Sequence, residues 1–274
     1  MSFEKFSEAG KKIFYDHYFD ADDIVSYRYD VGAKATRGAI LEKMTIHKGT
    51  ILEIGTGISS LLLDLQQEPF DCFGIDISEP TITKIKHWFD TVKASAQFFT
   101  ANAEALPFGD SFFDSIVSSH TFEHIKDDAR AFSECTRVLK PGGELILFVP
   151  GRIDGTATIQ EWESLGHYRS YNRARMEALA KSSKGTMELE SIEYVHKVHN
   201  LVWNRLKNVF RWVNYPFKKW VMRDGKSYEH RFVYQKIALP VLMKTLSFFD
   251  SFTKNKQKNF LGAEFNVLVR FRKI

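Results

Sequence analysis

Within residues 50–59, Thr-Ile-Leu-Glu-Ile-Gly-Thr-Gly-Ile-Ser, an acid and two glycines are spaced Glu53-x-Gly55-x-Gly57. Glycines at that spacing let a backbone approach a ligand that a Cβ would hold away, and they admit φ values closed to other residues. A second acid, Asp76, follows the glycines by about 20 residues, the interval at which nucleotide-binding folds carry a ribose-binding carboxylate. Its two oxygens can accept from both ribose hydroxyls. Further along stand His120, Glu123 and His124, and later His167. Histidine titrates near neutrality and suits proton transfer, so His124, with Glu123 beside it, is the first choice for a general base. One adjacent Glu-His pair is too little to hold a divalent ion, and no metal is expected. Each assignment has a plainer alternative. The glycines could form an ordinary strand-to-helix turn, Asp76 a helix cap (a task Ser78 could also fill), and Glu123-His124 a structural pair.

These residues need elements to position them. Ile51, Leu52 and Ile54 form the short apolar run of a strand buried on both faces, and Ile58, Leu61, Leu62 and Leu65 continue as a helix after the glycines. The alternation persists, with strands at 71–76, 95–100 and 113–118 and helices at 36–46, 79–92 and 127–137. Pro141-Gly142-Gly143 reads as a helix stop and turn ahead of a fifth strand at 144–149. A helix at 172–183, a strand at 186–195 and the alternating run Phe265, Val267, Val269, Phe271 complete the set. Strand and helix in turn predict an α/β sheet with helices on both faces, its ligand at the carboxyl ends of the strands.

Four segments, in order, resemble class I S-adenosylmethionine-dependent methyltransferases of the type-11 group. They are Glu53-x-Gly55-x-Gly57, Asp76, Ala101-Asn-Ala-Glu-Ala-Leu-Pro-Phe108, and Arg137-Val-Leu-Lys-Pro-Gly-Gly143. The resemblance covers residues 47–150 closely and reaches Gly166-His167-Tyr168-Arg169-Ser170-Tyr171 more loosely. Two positions depart from the family pattern: Ser59 replaces a third glycine, and Asn102 replaces the acid that meets the adenine amino group. The resemblance implies a seven-stranded, mostly parallel, doubly wound Rossmann-like sheet with an antiparallel last strand; about seventy residues separate its final two strands here, far more than a hairpin needs, and they read as a helical insertion. It implies S-adenosyl-L-methionine as cofactor, held by Glu53, Gly55, Thr56, Gly57, Ser59, Asp76, Ile77, Asn102, Ala103, Ser119 and His120. His167, Arg169 and Tyr171 are the expected acceptor contacts, since a guanidinium fork suits oxyanions. Arg169 and its flanking tyrosines fit equally well as a lock on the loop after the fifth strand.

The expected organisation is an N-terminal helical cap over 1–46, a cofactor-binding domain over 47–196 and 262–274, and a helical insertion over 197–261. In the cap, Tyr27, Arg28, Tyr29 and Arg37 fit a cover over the cofactor, and fit equally well as scattered residues of surface helices. The net charge of +4 is uneven, for residues 196–236 hold ten basic and two acidic side chains. Val198, Leu201, Val202, Leu206, Val209, Phe210 and Val213 share one helical face there, with Trp203 and Trp212 at its margins. The segment 198–252 therefore reads as a subdomain or substrate cap, a contact with a second copy of the chain, or a membrane-surface contact. Nucleic acid fits least, because the stripe is more apolar than a phosphate-tracking groove requires. Two cysteines, no apolar leader and no charge-free span point to a cytoplasmic protein, or one peripheral at the inner membrane face. The expected reaction is methyl transfer to a small or lipid-linked acceptor. A catalytically silent scaffold of the same fold and a peripheral membrane-binding protein are the rival readings.

Overall fold

A computed structural model of the chain describes residues 31–58, 61–152, 154–156, 166–196 and 265–274. Of the expected cap over 1–46, residues 1–30 lie outside the described residues, as does the insertion at 197–261. The chain divides into two compact units, Met1–Glu193 with Asn266–Ile274, and Tyr194–Phe265. The candidate site belongs to the first.

In chain order the elements are α1 (Val31–Lys43), β1 (Gly49–Ile54), α2 (Leu61–Asp64), β2 (Phe70–Asp76), α3 (Glu79–Thr91), β3 (Gln97–Thr100) and β4 (Phe113–Ser119). There follow α4 (Asp128–Val138), β5 (Leu139–Gly151), α5 (Arg173–Ser182), β6 (Met187–His196) and β7 (Phe265–Lys273). The strands form one seven-stranded sheet ordered β3-β2-β1-β4-β5-β7-β6. It is mostly parallel, with antiparallel pairing confined to its last strands. From β1 the chain builds outward through β2 and β3, then returns to lay β4 on the other side of β1. That reversal opens a crevice between the carboxyl ends of β1 and β4, where doubly wound sheets bind ligands. Ile51, Leu52, Ile54, Ile116, Val117 and Leu145 to Val149 are buried, as the continuous apolar runs of central parallel strands require.

Three boundaries differ from expectation, each for a local reason. Helix α1 ends at Lys43 rather than residue 46. The buried Glu144 carboxylate accepts from the Thr45 and Ile46 amides and the Thr45 hydroxyl (2.6–3.2 Å), drawing the chain out of the helix towards β1. The helix after the glycine turn is a single turn followed by a 3-10 turn, Leu65–Gln67, because Glu68 precedes Pro69 and is extended (φ −102°, ψ 153°). Strand β5 runs straight through Pro141-Gly142-Gly143 instead of starting after it. The register jumps from Phe113↔Leu139 to Ser115↔Glu144, so the three residues sit in a bulge, and Gly142 (φ +77°) supplies the left-handed turn.

Between β3 and β4 the Leu-Pro-Phe segment is held against α4 by Arg137. Its guanidinium donates to the Phe108 and Leu106 carbonyls, to Asp110 and to Glu134, while Glu134 accepts the Leu106 amide (2.8–3.1 Å). These bonds outweigh partial burial and hold the Glu134 carboxyl below the usual range. Among the described residues no helix is long and apolar enough to cross a membrane, and Cys72 and Cys135 are free and buried.

Candidate active site

The glycine turn is built where β1 meets the crevice. Gly55 and Thr56 both donate their amides to the Ile75 carbonyl at 2.9 Å, fastening the turn to β2. Gly55 (φ +71°) and Gly57 (φ +49°) are left-handed. A Cβ on Gly55 would stand 2.1 Å from Thr121 Oγ1, so the turn lies directly against the loop after β4. A Gly55→Ala variant combines a conformation costing about 1–2 kcal/mol with an overlap on the Thr121 side chain, down to its Cβ. It is expected to lose about 2–4 kcal/mol of stability in urea unfolding, with only partial recovery from a second Thr121→Ala change, because the strained φ and the contact with the residue 121 Cβ remain.

Asp76 ends β2 with its carboxylate aligned by two amides: Gly57 N donates to Oδ2 at 3.0 Å and Ser78 N to Oδ1 at 2.9 Å. The capping task falls to Ser78, whose hydroxyl accepts from Thr81 N. Asp76 is thus presented at the rim between the glycine turn and α3, and Ile77 beside it is exposed. Glu53, expected among the cofactor contacts, is buried (2% exposed) and accepts from the Thr56 hydroxyl at 3.2 Å. Its position beneath the turn braces Thr56 from below. Asn102 uses Oδ1 to accept the Glu104 amide at 2.9 Å, an Asx turn that leaves the second lone pair of that carbonyl for another donor. Ala103 is buried behind it, and Ser59 lies outside the described residues. Arg37, expected over the cofactor, is buried and donates to Asp64 at 2.7 Å.

On the far side of the crevice, His120 has φ +51° and donates its amide to Phe148 O at 2.8 Å. Thr121 Oγ1 donates to the Ser119 carbonyl, and Phe122–His124 form one 3-10 turn. Glu123 is fully buried, with His120 Nδ1 3.4 Å from its Oε1. Burial pushes the Glu123 carboxyl up, but His120 and the charge of His124 more than offset this and leave it below the usual range. The His124 and His167 rings meet nearly at right angles (76°), their centroids 4.7 Å apart. Sequence spacing alone does not reveal that contact, since it depends on the Tyr168 amide meeting the Glu123 carbonyl, a long-range hydrogen bond.

Arg169 and Tyr171 serve that loop. Arg169 donates to the Ile125 and Lys126 carbonyls at 2.5 and 2.6 Å, and Tyr171, fully buried, donates its hydroxyl to Asp128 at 3.0 Å. Arg175 joins the same carboxylate. Of the two readings open for Arg169 and Tyr171, these contacts fit the loop lock rather than acceptor binding, because their polar groups are already engaged below the rim. The sequence reading missed Asp128, whose position after the capping Asp127 gives no sign of burial. It also missed Gly74, where a Cβ would overlap Phe98 and press on Thr56 Oγ1; a lone glycine inside a strand run was the available signal.

A doubly wound sheet with a glycine turn on β1 and an amide-aligned acid ending β2 defines a nucleotide-cofactor-binding α/β protein. Residues 52–147 match the family described as a methyltransferase domain. Over that segment the chain is similar to the class I S-adenosylmethionine-dependent methyltransferases, type-11 group. A demethylmenaquinone methyltransferase of Thermus thermophilus is 31% identical over 99 residues, which are 35% of this chain and 45% of that protein. The chain spans about half the length of the curated relatives it matches, 45% to 50% for the first three. A phosphoethanolamine N-methyltransferase of Haemonchus contortus, solved with S-adenosyl-L-methionine, aligns at TM-score 0.60 and 19% identity over 96% of this chain and 59% of that one. The cyclase SpnF aligns at TM-score 0.56 and 18% identity over 88% of this chain and 80% of that chain. At such identities the structural likeness speaks for the fold alone.

Proposed function

We propose that this protein binds S-adenosyl-L-methionine at the β1–β2–β4 rim and transfers its methyl group to a small or lipid-linked acceptor. The observation that carries the reading is Asp76, aligned by the Gly57 and Ser78 amides beside a turn with no side chain at Gly55 or Gly57. Such a pair of features suits a ribose on the acid and a chain of atoms laid along bare backbone. The bound cofactor supplies a methyl group on a positively charged sulfur, open to displacement by an acceptor lone pair.

The chain's own contribution is alignment and exclusion of water. Thr56, braced by Glu53, and the Asn102 turn shape the cofactor side, and the loop from Ser119 to His124 forms the acceptor side. Where the acceptor arrives protonated, His124 or His120 takes the proton, and the buried Glu123 favours the imidazolium that results. The acceptor class rests on two supports. Names of relatives include a demethylmenaquinone methyltransferase, and the basic aromatic segment 198–252 has the composition of a membrane-surface contact.

Titration calorimetry of the full chain with S-adenosyl-L-methionine tests the cofactor, with saturable one-site binding expected. Transfer of labelled methyl into a cell extract then separates an enzyme from a silent scaffold. Absence of saturable binding would end the methyltransferase reading, and binding without any labelled product would favour the scaffold. Co-sedimentation with anionic liposomes checks the membrane contact.

A further inference from the structure

The buried Glu123 has chemistry around it that proton transfer alone does not need. One ligand atom each from Glu123, His124 and His167 lie within 4.8 Å of one another. Neither oxygen of Glu123 accepts a hydrogen bond in the structure, although the residue is fully buried. A buried carboxylate without hydrogen bonds costs several kcal/mol unless a cation meets it. His120 approaches Oε1 at 3.4 Å, longer than the roughly 2.7–2.9 Å of a charge-assisted hydrogen bond.

Two imidazoles set edge to face beside that carboxylate form a two-histidine, one-carboxylate donor set, which suits a first-row divalent ion better than magnesium or calcium. The donors are also held in place. Tyr168 N donates to the Glu123 carbonyl at 2.8 Å, and the Arg169 guanidinium grips the two carbonyls that follow His124. The loop carrying His167 is therefore clamped to the turn carrying the other two, as a preorganised metal centre requires.

We propose that Glu123, His124 and His167 form a binding site for a divalent transition-metal cation on the acceptor side of the crevice. One carboxylate and two neutral imidazoles leave the centre a net charge of +1. Its open position suits an anionic oxygen of the acceptor, a role that rests on the methyl-transfer reading, whereas the binding itself does not.

The test uses the full chain, freed of metal by chelator dialysis and titrated with Co2+ under visible spectroscopy, then with Zn2+ as competitor. One Co2+ per chain with a visible d–d band, displaced by Zn2+, is expected. In His167→Ala and in Glu123→Gln the Co2+ affinity should fall about tenfold or more. If Glu123→Gln does not fold, judged by circular dichroism, His167→Asn on the loop carries the test. Absence of a band, or a band of wild-type affinity in the His167 variants, overturns the site and assigns any bound metal to other histidines. Calorimetry with S-adenosyl-L-methionine on the metal-free protein keeps the two proposals apart. A Co2+ site without cofactor binding sinks only the methyltransferase reading, and cofactor binding without a Co2+ site sinks only the metal.

Discussion

An Asp76→Ala variant is expected to bind S-adenosyl-L-methionine about a hundredfold more weakly than the parent, or worse. Hydrogen bonds to a charged group contribute about 1.5–3 kcal/mol each, and a ribose offers two hydroxyls to this one carboxylate. Loss of both is about 3–6 kcal/mol, which at 1.4 kcal/mol per decade is two orders of magnitude or more. A second effect acts in the same direction. The carboxylate also receives Gly57 N and Ser78 N, so its removal loosens the glycine turn that the cofactor must lie along. Asp76→Asn should fall in between, because one oxygen is kept while the new amide group would face the N–H of Gly57 or Ser78. Asp90→Asn, exposed on α3, is the matched control and should bind as the parent does. Calorimetric titration reads all four proteins. An Asp76→Ala affinity within threefold of the parent would mean that the acid is only a brace for the turn.

The parts of this site that were legible in the sequence are those in which local chemistry dictates local structure. Apolar runs such as Ile51 to Ile54 had to be central strands, and a bare Gly-x-Gly after such a run had to be a tight turn at the sheet's rim. Asp76 followed from its interval. Long-range consequences were not legible. Glu53 looked like a crevice residue because it is acidic and near a strand end, yet the pleat turns it inward beneath Thr56. Arg37 looked like a cofactor clamp, but Asp64, one turn into the adjacent helix, was the nearer anion. Pro141-Gly142-Gly143 carried every mark of a turn, and a bulge satisfies the same marks while letting β5 continue. His124 and His167 stand 43 positions apart in the chain, so no local window along it contains their contact.

Asp128→Ala should be the most damaging change to folding that leaves the rim itself untouched, at about 3–5 kcal/mol in urea unfolding. The carboxylate is 1% exposed and receives the Tyr171 hydroxyl at 3.0 Å, with Arg175 on both of its oxygens and Arg169 at 3.6 Å. Removing it strands a buried phenol and leaves two guanidiniums facing each other without their counter-charge. Burial, and then the nearby Asp128, push the Tyr171 phenol well above its ordinary range, so it cannot ionise to relieve the loss at neutral pH. Since small proteins are stable by only about 5–15 kcal/mol, the variant forfeits a large part of the margin. Asp128→Asn keeps one acceptor for the tyrosine and should cost less. A double-mutant cycle with Tyr171→Phe isolates the phenol's share, expected near 1–3 kcal/mol because the acceptor is charged. The mechanical consequence reaches the site. Arg169 lies between Asp128 and the carbonyls after His124, so the same loss frees the loop that holds His167 against that residue. Hydrogen exchange should therefore rise at Tyr168 N and Tyr171 N, the amides that fasten this loop to Glu123 and Pro150, before it rises in β1. Unchanged exchange at those two amides, or a stability loss below about 1 kcal/mol, would show that the loop is held by packing rather than by this carboxylate.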